Sequence, residues 1–128
     1  MDKTAKERAE FFDDCLITAL EGGIQYWAYV RNYRPHWNPD FHSDHPRNME
    51  PTTADVIDAD SEKAYHVTPA TIRLAFSRIR GKNPIQYLHD KTRARLRACY
   101  HSLDGGEIDA SDADILLQIG IFGHLIYG

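Results

Sequence analysis

The positive charge of this sequence is concentrated in one third of the chain. Between Pro69 and His101 there are eight basic residues and one acidic residue, Asp90, which give this segment a formal charge of +7. The whole chain of 128 residues carries −4, so the remainder is strongly acidic. A cationic segment in an acidic protein indicates a polyanionic partner. We predict that this partner is nucleic acid, DNA more than RNA.

Two helix starts position these basic residues. Thr68-Pro69 combines a hydroxyl N-cap with proline at the first helical position, and Gly81 suits the end of that helix. Asn83-Pro84 repeats the same start at once. The sequence therefore predicts a helix, a three-residue turn and a second helix within residues 68–101.

The outward positions of these two helices define the candidate binding surface. On the first helix they form a stripe opposite an apolar face, and on the second they lie opposite Leu88, Leu96 and Cys99. The predicted nucleic-acid-binding residues are Arg73, Ser77, Arg78, Arg80, Lys82, Arg93 and Arg97. The alternative is that these arginines form salt bridges with the acidic remainder, within the fold or across a homodimer.

The same stretch resembles the helix-turn-helix of the AraC class of transcription regulators. Its pattern is matched without a gap by Val67, Thr68, Pro69, Ile72, Phe76, Gly81, Pro84, Tyr87 and Leu88. In that class the first of these helices enters the DNA major groove, so the resemblance implies that Arg73, Ser77 and Arg80 contact bases or phosphates. The class also has a preceding helix and glycine turn, whereas the residues before Val67 resemble a strand. It has a second helix-turn-helix as well, for which this chain has no room.

A proline-rich stretch over residues 34–53 invites a different function. Four prolines exclude regular structure there, and His36, His42 and His45 lie among Asp40 and Asp44. Their spacing matches no standard zinc pattern, so we predict neither a metal site nor a cofactor. The stretch 34–50 could instead be the contact surface of an inhibitor that binds a host or defence protein. A further alternative is a nucleotide sponge whose basic cleft holds a small phosphate ligand.

No recognisable catalytic motif is present, and we predict that the protein is not an enzyme. The sequence has no Walker loop, glycine-rich dinucleotide fingerprint, paired C-x-x-C or nucleophile elbow. Glu21 could be a pocket carboxylate, although a glutamate on a helix surface is the simpler interpretation. The acidic residues Asp109, Asp112 and Asp114 could bind a cation, but they also suit the first turn of a helix.

The other elements complete a fold that we predict to be mainly α, with a small β-hairpin and about four helices in one domain. An amphipathic pattern over residues 4–20 continues past Gly22-Gly23 and predicts one bent helix that ends near Tyr33. The two glycines permit either a helix break or a close backbone approach. Residues 54–67 predict the hairpin, and an apolar run ending at Phe122 predicts a central core helix.

Motifs near both ends of the chain resemble those of a group of small bacteriophage proteins, notably from phages of actinobacteria. They are T-A-L-E-G-G-I-x-Y-W from Thr18, D-A-D-I-x-x-Q from Asp112 and F-G-x-x-x-Y-G from Phe122. The resemblance implies a phage origin and a shared core that the middle of the chain decorates. Because there is no apolar signal core or membrane-spanning run, we predict a protein of the bacterial host cytoplasm.

Overall fold

The computed structural model describes residues 4–37 and 47–128, which form four helices and a three-stranded antiparallel sheet. The helices are α1 (Ala5–Thr18), α2 (Pro69–Arg80), α3 (Asp90–Ser102) and α4 (Ala110–Phe122), with a π-helical turn at Ala19–Gly23 and a 3-10 turn at Gly105–Glu107. The strands are β1 (Ala28–Arg34), β2 (Thr53–Asp58) and β3 (Ala64–Val67), in the order β1-β2-β3.

The architecture is α+β, so the predicted helical domain with a small hairpin was wrong. Both strands of the predicted hairpin are present, but a third strand, β1, pairs with β2 with Val30 opposite Val56. The sequence predicts a bent helix that ends near Tyr33, because Ile24, Trp27 and Val30 continue the apolar spacing of α1. Pairing with β2 overrides that local pattern, because the backbone groups of β1 form hydrogen bonds with a strand that is distant in the sequence.

The glycine pair ends the first helix and also permits a close contact. The chain leaves the helix through the π-helical turn, where the Ile24 amide bonds to the Ala19 carbonyl at 3.2 Å. A Cβ atom on Gly23 would lie 2.7 Å from the carbonyl oxygen of Ala110, at the start of α4. The absence of a side chain at Gly23 therefore lets the start of α4 pack directly on the turn.

Helix α4 is the centre of the core, as its apolar sequence predicts. Leu116, Leu117 and Ile119 are fully buried, and the helix packs against α1, α2 and the π-helical turn. Asp109 caps its start and accepts a bond of 2.8 Å from the Asp112 amide. Gly120 allows α2 to cross closely, since a Cβ there would collide with the backbone of Thr71.

Helix α3 begins at Asp90, so the predicted helix start at Asn83-Pro84 was wrong. Residues 81–89 form a connection in which Ile85 is buried and Tyr87 has a positive φ of 68°. This segment is held to the C-terminal residues by a bond of 3.3 Å from the Leu125 amide to the Gln86 carbonyl. The tight three-residue turn is therefore replaced by a longer packed connection.

Cys15 and Cys99 are free, buried thiols. Within the described ranges, none of the helices has the length and apolar composition needed to cross a membrane.

Candidate functional site

The exposed side of α2 borders a cleft of about 530 Å³. Its lining residues recur at helical spacing along α2 and include one residue of α3: Ala70, Arg73, Leu74, Ser77, Arg80 and Tyr100. The Thr68 cap and the buried face of α2 fix the direction in which this stripe points. Three of the seven predicted binding residues, Arg73, Ser77 and Arg80, are therefore brought together in one concave surface, which we call the basic cleft.

Arg80 and Arg8 approach the same aromatic ring at the edge of the basic cleft. The Arg80 guanidinium lies 4.4 Å from the ring centroid of Tyr100 and donates to its hydroxyl at 3.2 Å. The guanidinium of Arg8, on α1, lies 5.8 Å from that centroid. Neither they nor Arg73 form an ion pair with a carboxylate in the described part of the chain. The positive charge of the basic cleft is thus not neutralised by a carboxylate in direct contact with these arginines.

Two other predicted residues donate hydrogen bonds to the end of α2. Arg93 donates to the carbonyl oxygens of Ile79 at 3.0 Å, Arg78 at 3.1 Å and Gly81 at 2.7 Å. Arg97 donates to the same Ile79 carbonyl at 3.0 Å. The last carbonyls of a helix lack partners within it and carry partial negative charge. These cations therefore stabilise α2, although they retain their formal charge.

The remaining predicted residues have different surroundings. Arg78 is half-buried and donates to the carbonyl of Ile119, next to Gly123 at the end of α4. Lys82 is exposed just beyond α2. The seven residues therefore divide into those at the basic cleft, three arginines bonded to backbone carbonyls, and one exposed lysine.

Arg95 is the arginine of this segment that does pair with a carboxylate. Its two terminal nitrogens donate to Asp112 at 2.8 and 2.5 Å, and Asp112 is almost fully buried. Burial acts to raise the pKa of Asp112, but hydrogen bonds from Arg95 and the Asp109 backbone outweigh it and lower that pKa. The pair joins α3 to the start of α4, so the salt-bridge alternative holds for this arginine.

A second polar cluster lies where the motifs of the two chain ends meet. The carboxylate of Asp114, which is only 6% exposed, accepts bonds from the Trp27 indole at 2.8 Å and the Gln118 amide at 3.0 Å. Its other oxygen accepts a bond of 2.5 Å from the hydroxyl of Tyr26. Gln118 in turn accepts from the backbone amides of Ile126 and Tyr127 at 2.9 Å. We call Tyr26, Trp27, Asp114, Gln118 and Tyr127 the Asp114 cluster.

Tyr127 extends this cluster to the sheet. Its ring stacks on Trp27 with the centroids 5.0 Å apart, and its hydroxyl donates to Asp58 at 2.6 Å. That hydrogen bond raises the pKa of Tyr127 to about 12. Burial, together with the hydrogen bond to Asp114, raises the pKa of Tyr26. Both hydroxyls are therefore held protonated as donors to carboxylates.

The sequence predicts core positions for Tyr26 and Trp27 and a charged first helical turn for Asp114, and it does not bring the three together. The signal that could have found the cluster was the co-occurrence of polar and aromatic residues in the two end motifs. Trp27 and Asp114 are separated by 87 positions, so no local pattern connects them.

The other candidate residues form no recognisable centre in the described part of the chain. Glu21 is exposed and accepts a bond of 2.5 Å from the Tyr33 hydroxyl. His36 lies 3.0 Å from the carbonyl oxygen of Glu50. His42, His45, Asp40 and Asp44 fall outside the described residues, as does most of the proposed contact stretch. Among residues 4–37 and 47–128, no group of three metal-binding side chains is placed to hold an ion.

Comparison with protein-family models, with curated proteins and with solved structures found no match to this chain.

Proposed function

We propose that this protein binds nucleic acid, DNA more than RNA, through the basic cleft and the exposed face of α2. It would act as a phage-encoded regulatory or accessory factor in the cytoplasm of a bacterial host, and not as an enzyme. The observation that carries this proposal is that Arg73 and Arg80 line one cleft, with Arg8 beside the Tyr100 ring at its edge. None of these three arginines forms an ion pair with a carboxylate among the described residues.

The chemistry of the cleft suits a phosphate backbone. Guanidinium groups donate several hydrogen bonds in a plane and match phosphate oxygens in geometry and charge. Ser77, which is exposed between Arg73 and Arg80, adds a neutral donor to the same stripe. The arginines that cap α2 oppose the negative end of its dipole, which keeps the local potential favourable to an anion.

Salt dependence gives a quantitative expectation. If Arg8, Arg73, Arg80 and Lys82 each neutralise one phosphate, raising salt from 50 to 200 mM should weaken binding on the order of 100-fold. A much shallower dependence would mean that phosphates are not the main partners of this surface.

The test is fluorescence anisotropy with duplex DNA and duplex RNA of equal length at several salt concentrations. Arg73→Glu/Arg80→Glu should weaken binding by at least about tenfold and reduce the salt slope. The matched control is Arg31→Glu/Lys63→Glu, which makes the same change in net charge at exposed positions in β1 and in the turn before β3. Equal losses in the two double variants, or no binding by the wild type at low salt, would refute the proposal.

A smaller phosphate ligand is a second candidate, favoured by the volume of the cleft. About 530 Å³ lies within the range of small-molecule sites. Calorimetry with ATP distinguishes the two functions, because a nucleotide sponge should bind ATP at physiological salt and lose it in Arg73→Glu/Arg80→Glu. A DNA-binding surface should show little affinity for ATP under those conditions.

A further inference from the structure

A second cavity lies beside the Asp114 cluster and shares no lining residue with the basic cleft. It has a volume of about 540 Å³ and lies between the π-helical turn, the first turns of α4 and the C-terminal residues. Gly22 and Gly23 form part of its wall, so backbone is accessible there without side chains in the way. The size is that of a site for a small ligand or for one side chain of a partner.

The charge of this cavity is negative and has no internal counter-ion. Asp114 lines it, and the three groups that donate to Asp114 are all neutral. No lysine, arginine or histidine lines the cavity, and none in the described ranges forms an ion pair with Asp114. A carboxylate offers about four lone-pair positions, so three donors leave one for a ligand.

The remaining walls suit a cation on an aliphatic stem. Tyr26, which is 59% exposed, and Tyr127 provide aromatic surface, and the electron-rich face of a phenol ring attracts cations. Ile115 and Leu125 offer apolar surface for methylene groups, and Ser111 offers a hydroxyl acceptor. An anionic ligand would instead meet the carboxylate of Asp114, which has no cationic partner in the described ranges.

We propose that this cavity binds an organic cation, an ammonium or guanidinium group on an aliphatic stem, with Asp114 as its counter-ion. The cation could be a free small amine or the side chain of a lysine or arginine in a partner protein. The inference does not depend on nucleic-acid binding, because none of its residues lies in the basic cleft.

The first measurement is calorimetry of the full chain with butylammonium, agmatine and the neutral isostere 1-butanol. The two cations should bind with a Kd on the order of 1 mM or tighter, and 1-butanol should bind at least about tenfold more weakly. Calorimetry with capped arginine amide distinguishes a free amine from a protein side chain as the ligand. If it binds as tightly as agmatine, a protein side chain is the ligand; if agmatine binds and it does not, a free amine is.

The variants are chosen so that folding and binding are separated. Ser111 is exposed in the first turn of α4, so Ser111→Lys introduces a cation at the cavity wall without disturbing the core. Ser111→Gln is the control of similar length without the charge. Affinity for agmatine should fall at least about tenfold in Ser111→Lys and stay within about threefold in Ser111→Gln.

A third variant, Arg73→Glu/Arg80→Glu, should keep full affinity for the cations whatever happens to nucleic-acid binding. Equal binding of butylammonium and 1-butanol, equal affinity of the two Ser111 variants, or no binding of any cation at about 10 mM would each overturn the proposal.

Discussion

The indole nitrogen of Trp27 donates a hydrogen bond of 2.8 Å to the carboxylate of Asp114, although the two residues lie 87 positions apart. This bond joins the segment that follows the π-helical turn to the second turn of α4. The same buried carboxylate also accepts bonds from Tyr26 and Gln118, and Gln118 binds the backbone of Ile126 and Tyr127.

Replacing Asp114 should therefore cost more stability than replacing any one of its donors. Asp114→Ala leaves the indole, the Tyr26 hydroxyl and the Gln118 amide without their acceptor, and we expect a loss of about 3 kcal/mol or more. Tyr26→Phe removes the bond to Asp114 and the longer bond of 3.3 Å that the hydroxyl accepts from Gln118, both partly exposed, and should cost about 1 kcal/mol. Urea unfolding measures both, with Asp60→Ala in the exposed hairpin turn as a control. A smaller loss for Asp114→Ala than for Tyr26→Phe would contradict this account.

The two adjacent glycines should respond differently to alanine. A Cβ on Gly23 would lie 2.7 Å from the Ala110 carbonyl oxygen, whereas on Gly22 the nearest atom would be at 3.8 Å. Gly23→Ala must move the start of α4, and we expect it to lose about 1–3 kcal/mol. Gly22→Ala should be neutral or slightly stabilising. Thermal unfolding of the two variants tests this directly, and equal melting temperatures would show that the close approach is unimportant.

Substitutions at Arg93 and at Arg73 should have different effects on stability and on DNA binding. Arg93→Ala removes the donors that close the end of α2, and we expect a loss of about 1–2 kcal/mol in the free energy of unfolding. Arg73→Ala should leave stability within about 0.5 kcal/mol, because its side chain is exposed on α2. On the proposed function, Arg73→Ala should nevertheless weaken DNA binding. Denaturant unfolding and anisotropy on the same two samples provide both readouts.

Asp14 should make the protein less stable as pH rises. Burial, with the nearby carboxylates of Asp13 and Glu10, raises the pKa of Asp14 to about 6, while His36 partly offsets this. The folded state then binds the proton more tightly than the unfolded state, so this contribution is greatest below pH 4 and is lost as pH rises towards 6. Because Asp14 is partly exposed to solvent, we expect a loss of only about 1–2 kcal/mol.

The variant Asp14→Asn tests the predicted direction of the change in stability with pH. It should be more stable than the wild type at pH 7, and its stability should fall less between pH 4.5 and pH 7. Asp60→Asn, which removes an exposed carboxylate, is the control for general charge effects. If the two variants have the same pH dependence as the wild type, Asp14 is not the group responsible.

Helix boundaries with strong local signals were predictable, and those that depend on distant partners were not. The Thr68 cap, Gly81 and the capped start of α4 lie where short-range chemistry places them. Strand β1 was missed because its apolar spacing continues that of α1, and only β2 shows that it is a strand. The start at Asn83-Pro84 failed because Ile85 is drawn into the core and delays the next helix.

The features of the candidate site also divide into those that the sequence predicts and those that depend on tertiary contacts. The amino-acid sequence by itself determined the concentration of positive charge, the outward stripe of α2 and the apolar character of α4, since these follow from composition and helical period. Only the tertiary structure decided that Arg93 and Arg97 close the end of α2 while Arg73 remains open to a partner. The physical reason is that a guanidinium bonds to whichever carbonyl or carboxylate the packing of other elements brings within about 3 Å.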